Sequence, residues 1–521
     1  MKAEVKKTRL PRGAEKRARK ERKGLDQDAW RETLLQSERG TILKDAPLRI
    51  ALCYPLPYHA AMSSLGFQVI YRMMNERQSI ACERVVLPDD VRSWRDRGLS
   101  PISLETGRPL KDFDLVAVSM TWDLDLIGFF ELLDLAGIPI ERKKRTAWDP
   151  AILIGGPLTA SNPLPMADFI DLAVIGDGER AVPKLLDALE DATDRDDLFD
   201  RLAPIPGVWI PERDGDKIPP TQKVPLDFPA VSQIVTPLSE LSNMFLVEAS
   251  RGCPRFCKFC LVRSPESPMR ENELDAVLSR IPDWAPRVGF VGAAISEWAF
   301  IKDALRHVTD LGKGVGISSL RADRLDDEFV ALLAKGGVRG MTVASDAPSQ
   351  RQRNKMAKGI KTEHLLNSAR LAKAHGMLKL KLYVIIGLPD ETDADVTELI
   401  DFSRELSQIL PTSLGLSPLV PKLHTPLGDA PFAGIDKIDA TLDRLRRGLE
   451  GIAEIRSTSA RWAWIEYRMS QGGAEAGHAA LAAWRDGGDF RAWERALKDQ
   501  PDRVALTAAR RHNLFPAAGM R

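Results

Sequence analysis

Arg251-Gly252-Cys253-Pro254-Arg255-Phe256-Cys257-Lys258-Phe259-Cys260 sets three thiols in a C-x3-C-x2-C spacing, directly behind the apolar run Phe245–Ser250. Thiolates are soft, charged ligands that suit iron–sulfur clusters and zinc. Three of them leave one iron of a [4Fe–4S] cube without a protein ligand, open to a small molecule. The alternative is a three-cysteine zinc site completed by a distant His. Structural zinc sites favour C-x2-C pairs with a fourth ligand at set spacing, which weighs against it. Five cysteines in 521 residues are too few for a disulfide scaffold. The other two, Cys53 in an apparent strand and Cys82 beside one, read as buried small residues.

Outward from the thiols, the run Phe245–Ser250 opens a series of apolar strands. The others are Val288–Val291, Val315–Ser319, Gly340–Ala344, Leu378–Ile386 and Ser413–Ser417. Helical stretches intervene near 271–281, 299–311, 326–335, 363–375 and 393–408. Six β/α units predict a partial (β/α)6 barrel over residues 241–430, with its site at the carboxyl ends of the strands.

Before it, residues 47–200 alternate apolar strands (49–53, 113–119, 151–154, 172–175) with helices near 66–77, 124–135 and 181–189. That alternation predicts a second α/β domain, a parallel sheet covered on both faces. Residues 201–240, rich in Pro, read as a connector with a small β-hairpin. Residues 431–521 read as a C-terminal helical domain whose Trp462, Trp464, Trp484 and Trp493 fill a core, one of them alternatively facing a substrate. Residues 1–46 form an N-terminal tail, strongly basic over 1–24. Such a block reads either as a solvated arm or as a contact for RNA or another acidic partner.

Bulk composition narrows the class. A net charge of +1 with 28% charged residues excludes a chain that binds nucleic acid through its overall charge. No apolar run is long enough for a bilayer span, and no secretory h-region opens the chain. A soluble, cytoplasmic protein without a membrane partner is the expectation.

The cysteine motif and its followers resemble the radical S-adenosylmethionine (SAM) superfamily. There the amino and carboxylate groups of SAM chelate the fourth iron, and an aromatic residue precedes the last cysteine, as Phe259 does. The resemblance makes Cys253, Cys257 and Cys260 the metal ligands. It implies SAM contacts along the strand ends. Gly292 and Ala293 stand at the small-residue turn that meets the SAM amino group. Ser318, Ser319 and Arg321 lie in an S-S-L-R element suited to the SAM carboxylate or ribose. Asp346 sits where relatives carry Glu, in Ala344-Ser345-Asp346-Ala347-Pro348-Ser349-Gln350-Arg351. Ile386 and Gly387 open a G-x-P-x-E-T turn beside the adenine.

Residues 47–190 resemble the Rossmann-like cobalamin-binding domain found ahead of many radical SAM barrels. Ser119 and Thr121, Gly155 and Gly156, and Gly176 in Gly176-Asp177-Gly178-Glu179 match its slot for the nucleotide tail. The D-x-H-x-x-G motif that supplies a cobalt-ligating histidine elsewhere is absent. Tyr58 and Met62 are then candidates for the lower face of cobalt. His59 is either a corrin contact or a surface residue. The domain alternatively keeps the fold and binds nothing. The family resembled most is that of radical SAM proteins carrying a B12-binding domain, over about residues 47–500. That span includes Val420-Pro421-Lys422-Leu423-His424-Thr425-Pro426, where His424 faces the expected barrel mouth as packing, substrate contact or proton carrier.

The resemblance implies three cofactors: a [4Fe–4S] cluster, SAM and cobalamin. It implies reductive cleavage of SAM to a 5′-deoxyadenosyl radical, with electrons from a flavodoxin- or ferredoxin-like donor. A cobalamin-dependent methyltransferase acting on an unactivated carbon follows first. A non-methylating rearrangement or cyclisation is the second reading, and an RNA-associated protein using the basic tail the third. The substrate and the oligomeric state are not legible.

Overall fold

The computed structural model describes residues 26–498 and residue 500. The basic stretch 1–24 lies outside them.

Two parallel β-systems make up the chain. In the first, β1 (Leu48–Pro57), β2 (Ile80–Leu87), β3 (Leu115–Ser119), β4 (Ala151–Gly155), β5 (Leu172–Val174) and β6 (Val208–Trp209) stand in the order β2-β1-β3-β4-β5-β6. All pairs are parallel except β5 with β6. Strand β1 shows why both faces must be covered. Its Ile50, Leu52 and Tyr54 point into one core and Ala51 and Cys53 into another, the period of two that a strand imposes. Helices Leu65–Asn75 and Ala181–Asp191 fill the first core; Asp125–Leu135 fills the second. The order reverses between β1 and β3, and open α/β sheets bind ligands at such a switch point. Cys82, expected beside a strand, lies within β2.

In the second system, β7 (Met244–Glu248) runs into a short antiparallel pair, β8 (Ser250–Arg251) with β9 (Arg270–Glu271). Then follow β10 (Arg287–Val291), β11 (Gly314–Gly316), β12 (Gly340–Ala344), β13 (Lys379–Ile386), β14 (Thr412–Pro418) and β15 (Glu454–Ser457). Strands β11-β10-β7 form one parallel sheet and β12-β13-β14-β15 another. A parallel bridge, Leu320 to Val343, joins them, and one apolar core fills the space they enclose. The barrel therefore has a seventh strand, β15, beyond the expected limit at residue 430.

Two further expectations are revised. The connector carries no hairpin among its described residues. Val231 instead bridges Val247 and covers the free edge of β7. The C-terminal helices Ala460–Gln471, Ala474–Arg485 and Phe490–Leu497 do not close a core of their own. Ile465, Met469, Ala480 and Trp493 join the second core of the first sheet. Gly477 permits this, because a Cβ there would stand 1.9 Å from the Pro165 carbonyl oxygen. Trp493 is buried, Trp464 and Trp484 pack partly against that core, and Trp462 is exposed. Among the described residues no helix is long and apolar enough to cross a membrane.

Candidate active site

The thiol loop leaves the barrel wall at β8 and is tied down along its length. Gly252 takes φ +85°, and a Cβ there would stand 2.2 Å from the Pro268 carbonyl oxygen. The Cys253 amide donates to Ser267 (3.0 Å), and the Lys258 amide to Met356 (3.1 Å). Leu427 in turn donates to the Lys258 carbonyl (3.2 Å). Phe259 packs on Ala347, Met356, Leu388 and Leu419, residues that follow β12, β13 and β14. The aromatic thus anchors the loop across the barrel mouth.

Cys257 is buried; Cys253 and Cys260 are half-buried. Burial pushes the Cys257 thiol up, while Lys358 and Arg321 pull it back. Burial also pushes Cys260 up, helped by the charges of Cys257 and Cys253, and Cys253 adds to the rise at Cys257. Among the described residues no three His, Cys, Asp or Glu side chains are grouped to hold a metal ion. Thiolates are soft ligands that suit an iron–sulfur cube as well as zinc. Three thiols on one anchored loop are a donor set suited to the cube.

The strand ends behave unequally. Gly292 and Ala293 line a cavity, as does Ser250. Ser250 is 2% exposed, and its hydroxyl has no hydrogen-bond partner. An orphaned hydroxyl beside a glycine turn suits a polar ligand there. Ser318 and Ser319 are exposed beyond the end of β11. Arg321 is buried and already engaged by Glu297 (3.0 Å), Asp323 (3.0 Å) and the Lys358 carbonyl (3.1 Å). Glu297 also receives Arg255 (2.7 Å) and Arg324 (2.8 Å), so the thiol loop and the end of β11 share one ionic knot. Asp346 adopts φ 55° and pairs with Lys358. Ile386 is buried, and the Gly387 amide donates to Glu391 (2.9 Å). Burial raises the Glu391 carboxyl above its usual range, against those backbone bonds.

The cavity holds about 1510 Å³ and runs between the two β-systems. Ser119, Thr121, Gly155, Gly156 and Gly176 line it from the first sheet; Ser250, Gly292 and Ala293 line it from the barrel. Ligand pockets commonly span about 300–1,000 Å³, so this one has room for a large ligand or for two. Both the hydroxyl and the amide of Thr121 donate to Asp125 (2.6 Å each). The glycines divide. A Cβ at Gly155 would meet nothing within 4 Å, leaving open wall. Gly156 and Gly176 are required by the chain itself: a Cβ would stand 2.5 Å from the Met120 oxygen and 2.3 Å from the Gln222 oxygen.

Tyr58 and Met62 do not line the cavity. Tyr58 donates its hydroxyl to Glu38 (2.5 Å), and the Met62 sulfur lies 3.2 Å from Arg84. His59 stands between Asp89 (3.7 Å) and Glu240 (3.3 Å), also outside the lining. His424 does line it. Ser161, Ser250 and Gln471 are wall residues that no motif announced. A second ionic group holds the two systems together. Arg251 meets Glu248 (2.8 Å), Asp177 (3.3 Å) and Glu179 (2.7 Å), and Arg270 meets Asp177 (3.0 Å).

Residues 66–211 match the family of radical SAM proteins, N-terminal, and residues 247–403 match the radical SAM superfamily. The superfamily match supports a radical SAM enzyme as the class. The N-terminal match names radical SAM proteins and not cobalamin. An uncharacterised protein of Methanocaldococcus jannaschii is 26% identical over 384 residues, 72% of this chain and 78% of that one. An uncharacterised methyltransferase of Pyrococcus horikoshii is 25% identical over 279 residues, 49% of this chain and 58% of that one. Among solved structures, the radical SAM methyltransferase TsrM of Kitasatospora setae, with cobalamin and a [4Fe–4S] cluster bound, aligns at a TM-score of 0.52. It is 18% identical, over 74% of this chain and 77% of that one, a likeness of fold.

Proposed function

We propose that the chain is a cobalamin-dependent radical SAM methyltransferase acting on an unactivated carbon. One observation carries the reading: a single cavity runs from the switch-point edge of the first sheet to the barrel turn beside the thiol loop. Methyl transfer through a second cofactor needs both cofactors in reach of one substrate, and separate pockets would forbid it. The matched methyltransferase of Pyrococcus horikoshii and the fold shared with TsrM support the same reading.

Cys253, Cys257 and Cys260 would hold the cluster; Ser250, Gly292 and Ala293 would take SAM; Ser119, Gly155, Gly156 and Gly176 would face cobalamin. When bound, the cluster with SAM supplies a carbon-centred radical, and cobalamin supplies a methyl carrier. The chain's part is positional. Phe259 fixes the loop over the barrel, Arg255 and Arg321 share Glu297 beneath it, and Arg251 ties it to Asp177 and Glu179. Leu52, Phe67, Leu153 and Val291 give the cavity an apolar wall that would limit water at the reacting centre. A flavodoxin- or ferredoxin-like protein serves as electron donor.

The test is anaerobic reconstitution followed by metal and product analysis. About four irons and one cobalamin per chain are expected, with 5′-deoxyadenosine and S-adenosylhomocysteine formed together. Deoxyadenosine without S-adenosylhomocysteine would replace methylation by a rearrangement or cyclisation. Zinc without iron would end the radical reading altogether.

A further inference from the structure

Three stretches of chain far apart in sequence converge on one corner of the cavity. Ser161 follows the turn after β4, His424 lies in the loop after β14, and Gln471 ends helix Ala460–Gln471. All three line the wall. The corner is braced from behind. Asn162 donates to the Gly472 carbonyl (2.8 Å) and the Ser470 carbonyl (3.2 Å), and the Gln471 amide donates to Pro421 (2.5 Å). His424 holds φ 66°, a backbone state that a residue with a Cβ rarely adopts and that clusters at functional sites.

Two atoms here have no partner in the chain, the Ser161 hydroxyl and the Gln471 side-chain carbonyl oxygen. The residues are only 5% and 7% exposed. Buried polar groups are almost always hydrogen-bonded, because an unmade bond leaves their desolvation uncompensated. Both residues belong to the cavity wall, so a small rotation of either side chain toward a ligand there would give its orphaned atom the partner that the chain does not supply. Burial also lowers the His424 imidazole, partly offset by a backbone contact with Ser161, and so favours its neutral form. Lys422, the cation of the same loop, is taken up by Asp123 and Glu466. The corner thus offers uncharged donors and acceptors together. A carboxylate or an ammonium would be desolvated there without a counter-charge. A carboxamide, with one acceptor and two N–H donors, can serve a hydroxyl and an amide oxygen at once, beside the neutral edge of an imidazole.

We infer that Ser161, His424 and Gln471 form a subsite for a peripheral carboxamide of cobalamin. This rests on the cobalamin reading above, and adds to it residues from the barrel loop and the C-terminal helix.

The test titrates full-length, iron-reconstituted protein with hydroxocobalamin and follows bound corrinoid by equilibrium dialysis and absorbance. Ser161→Ala is the cleanest variant. Its hydroxyl bonds nothing in the chain, so a purely structural role predicts unchanged or higher thermal stability and unchanged affinity. The subsite predicts unchanged stability and iron content with affinity weakened about three- to tenfold, the worth of one neutral hydrogen bond. His424→Ala should weaken binding similarly, and His424→Gln should restore part of it. Wild-type protein should also prefer hydroxocobalamin to at least one derivative with a single peripheral carboxamide hydrolysed to carboxylate. Affinities of Ser161→Ala and His424→Ala within about twofold of wild type would overturn the subsite and leave the cobalamin reading standing. Failure of the wild type to bind hydroxocobalamin would overturn both.

Discussion

A Cβ on Gly292 would stand 2.5 Å from the Ser250 hydroxyl oxygen, closer than real Cβ atoms come to a neighbour. Both residues line the cavity at the barrel end, and the Ser250 hydroxyl lacks a partner. Gly292→Ala must therefore push the hydroxyl aside at the turn where SAM is expected. The fold should survive, since overpacking by one methyl costs about 1–3 kcal/mol. Iron content should stay at wild-type level while SAM binding and deoxyadenosine formation fall about tenfold or more. The double variant Ser250→Ala/Gly292→Ala, which clears the clash, should regain part of both. SAM binding by Gly292→Ala equal to wild type would dissociate this turn from the cofactor.

The five cysteines divide into two groups by environment. Cys253, Cys257 and Cys260 sit on the anchored loop, whereas Cys53 and Cys82 are buried strand residues, Cys82 with its sulfur 3.7 Å from Met74. Each of Cys253→Ala, Cys257→Ala and Cys260→Ala should lose most of its iron and its charge-transfer absorbance after reconstitution. Cys53→Ala and Cys82→Ala should keep both. Iron retained by any variant of the first group would remove that residue from the ligand set.

The motif residues were legible because each sits at a strand end, where turn chemistry interrupts an apolar run. Gly292 and Gly387 are visible in that way, and Phe259 by its place before the last thiol of the motif. What escaped lacks such contrast. Strand β15 is Glu-Ile-Arg-Ser, polar and half-exposed at a sheet edge, so no apolar run marks it. Strand β2 reads Ile-Ala-Cys-Glu-Arg-Val-Val-Leu, and its two central charges break the pattern. Helix Ala474–Arg485 is so rich in alanine that nothing in it declares a preference for the distant first sheet. Ser161 and Gln471 are single polar residues whose meaning depends on a wall assembled from three parts of the chain. Tyr58 and Met62 stand in the stretch where a cobalt-ligating motif would fall, and the structure sets them against Glu38 and Arg84 of a buried ion pair.

That ion pair carries its own prediction. Arg84 lies between Glu38 and Glu105, and all three side chains are at most 1% exposed. Buried charges survive only when paired, and removing one partner strands the others at a cost of about 3–5 kcal/mol. Arg84→Met should therefore destabilise the first sheet by about that amount, seen as a lower unfolding midpoint and poorer soluble yield. Replacing the whole group, as Glu38→Gln/Arg84→Met/Glu105→Gln, should cost less than Arg84→Met alone. A triple variant less stable than the single one would show that the carboxylates are held by something other than Arg84.

Asp395 links protonation to the stability of the barrel. It stands in the first turn of helix Asp393–Ile409, accepts from the Thr392 amide and hydroxyl (2.8 Å each), and pairs with Arg351 and Ser349. Burial alone would raise its carboxyl; Arg351, Ser349 and Thr392 outweigh that and hold it well below the ordinary value of 3.8. A carboxyl depressed in the folded state stabilises wherever the unfolded chain would also be ionised, and the benefit fades as pH falls below the unfolded value. Asp395→Asn should thus lower the thermal midpoint by roughly 2–4 °C, the shift made by about 1 kcal/mol in a domain of 150–250 residues. The gap from wild type should hold steady between about pH 7 and pH 5 and narrow below about pH 4. A gap that stayed constant down to about pH 3 would mean that the side chain acts through packing, because only its charge is titrated over that range.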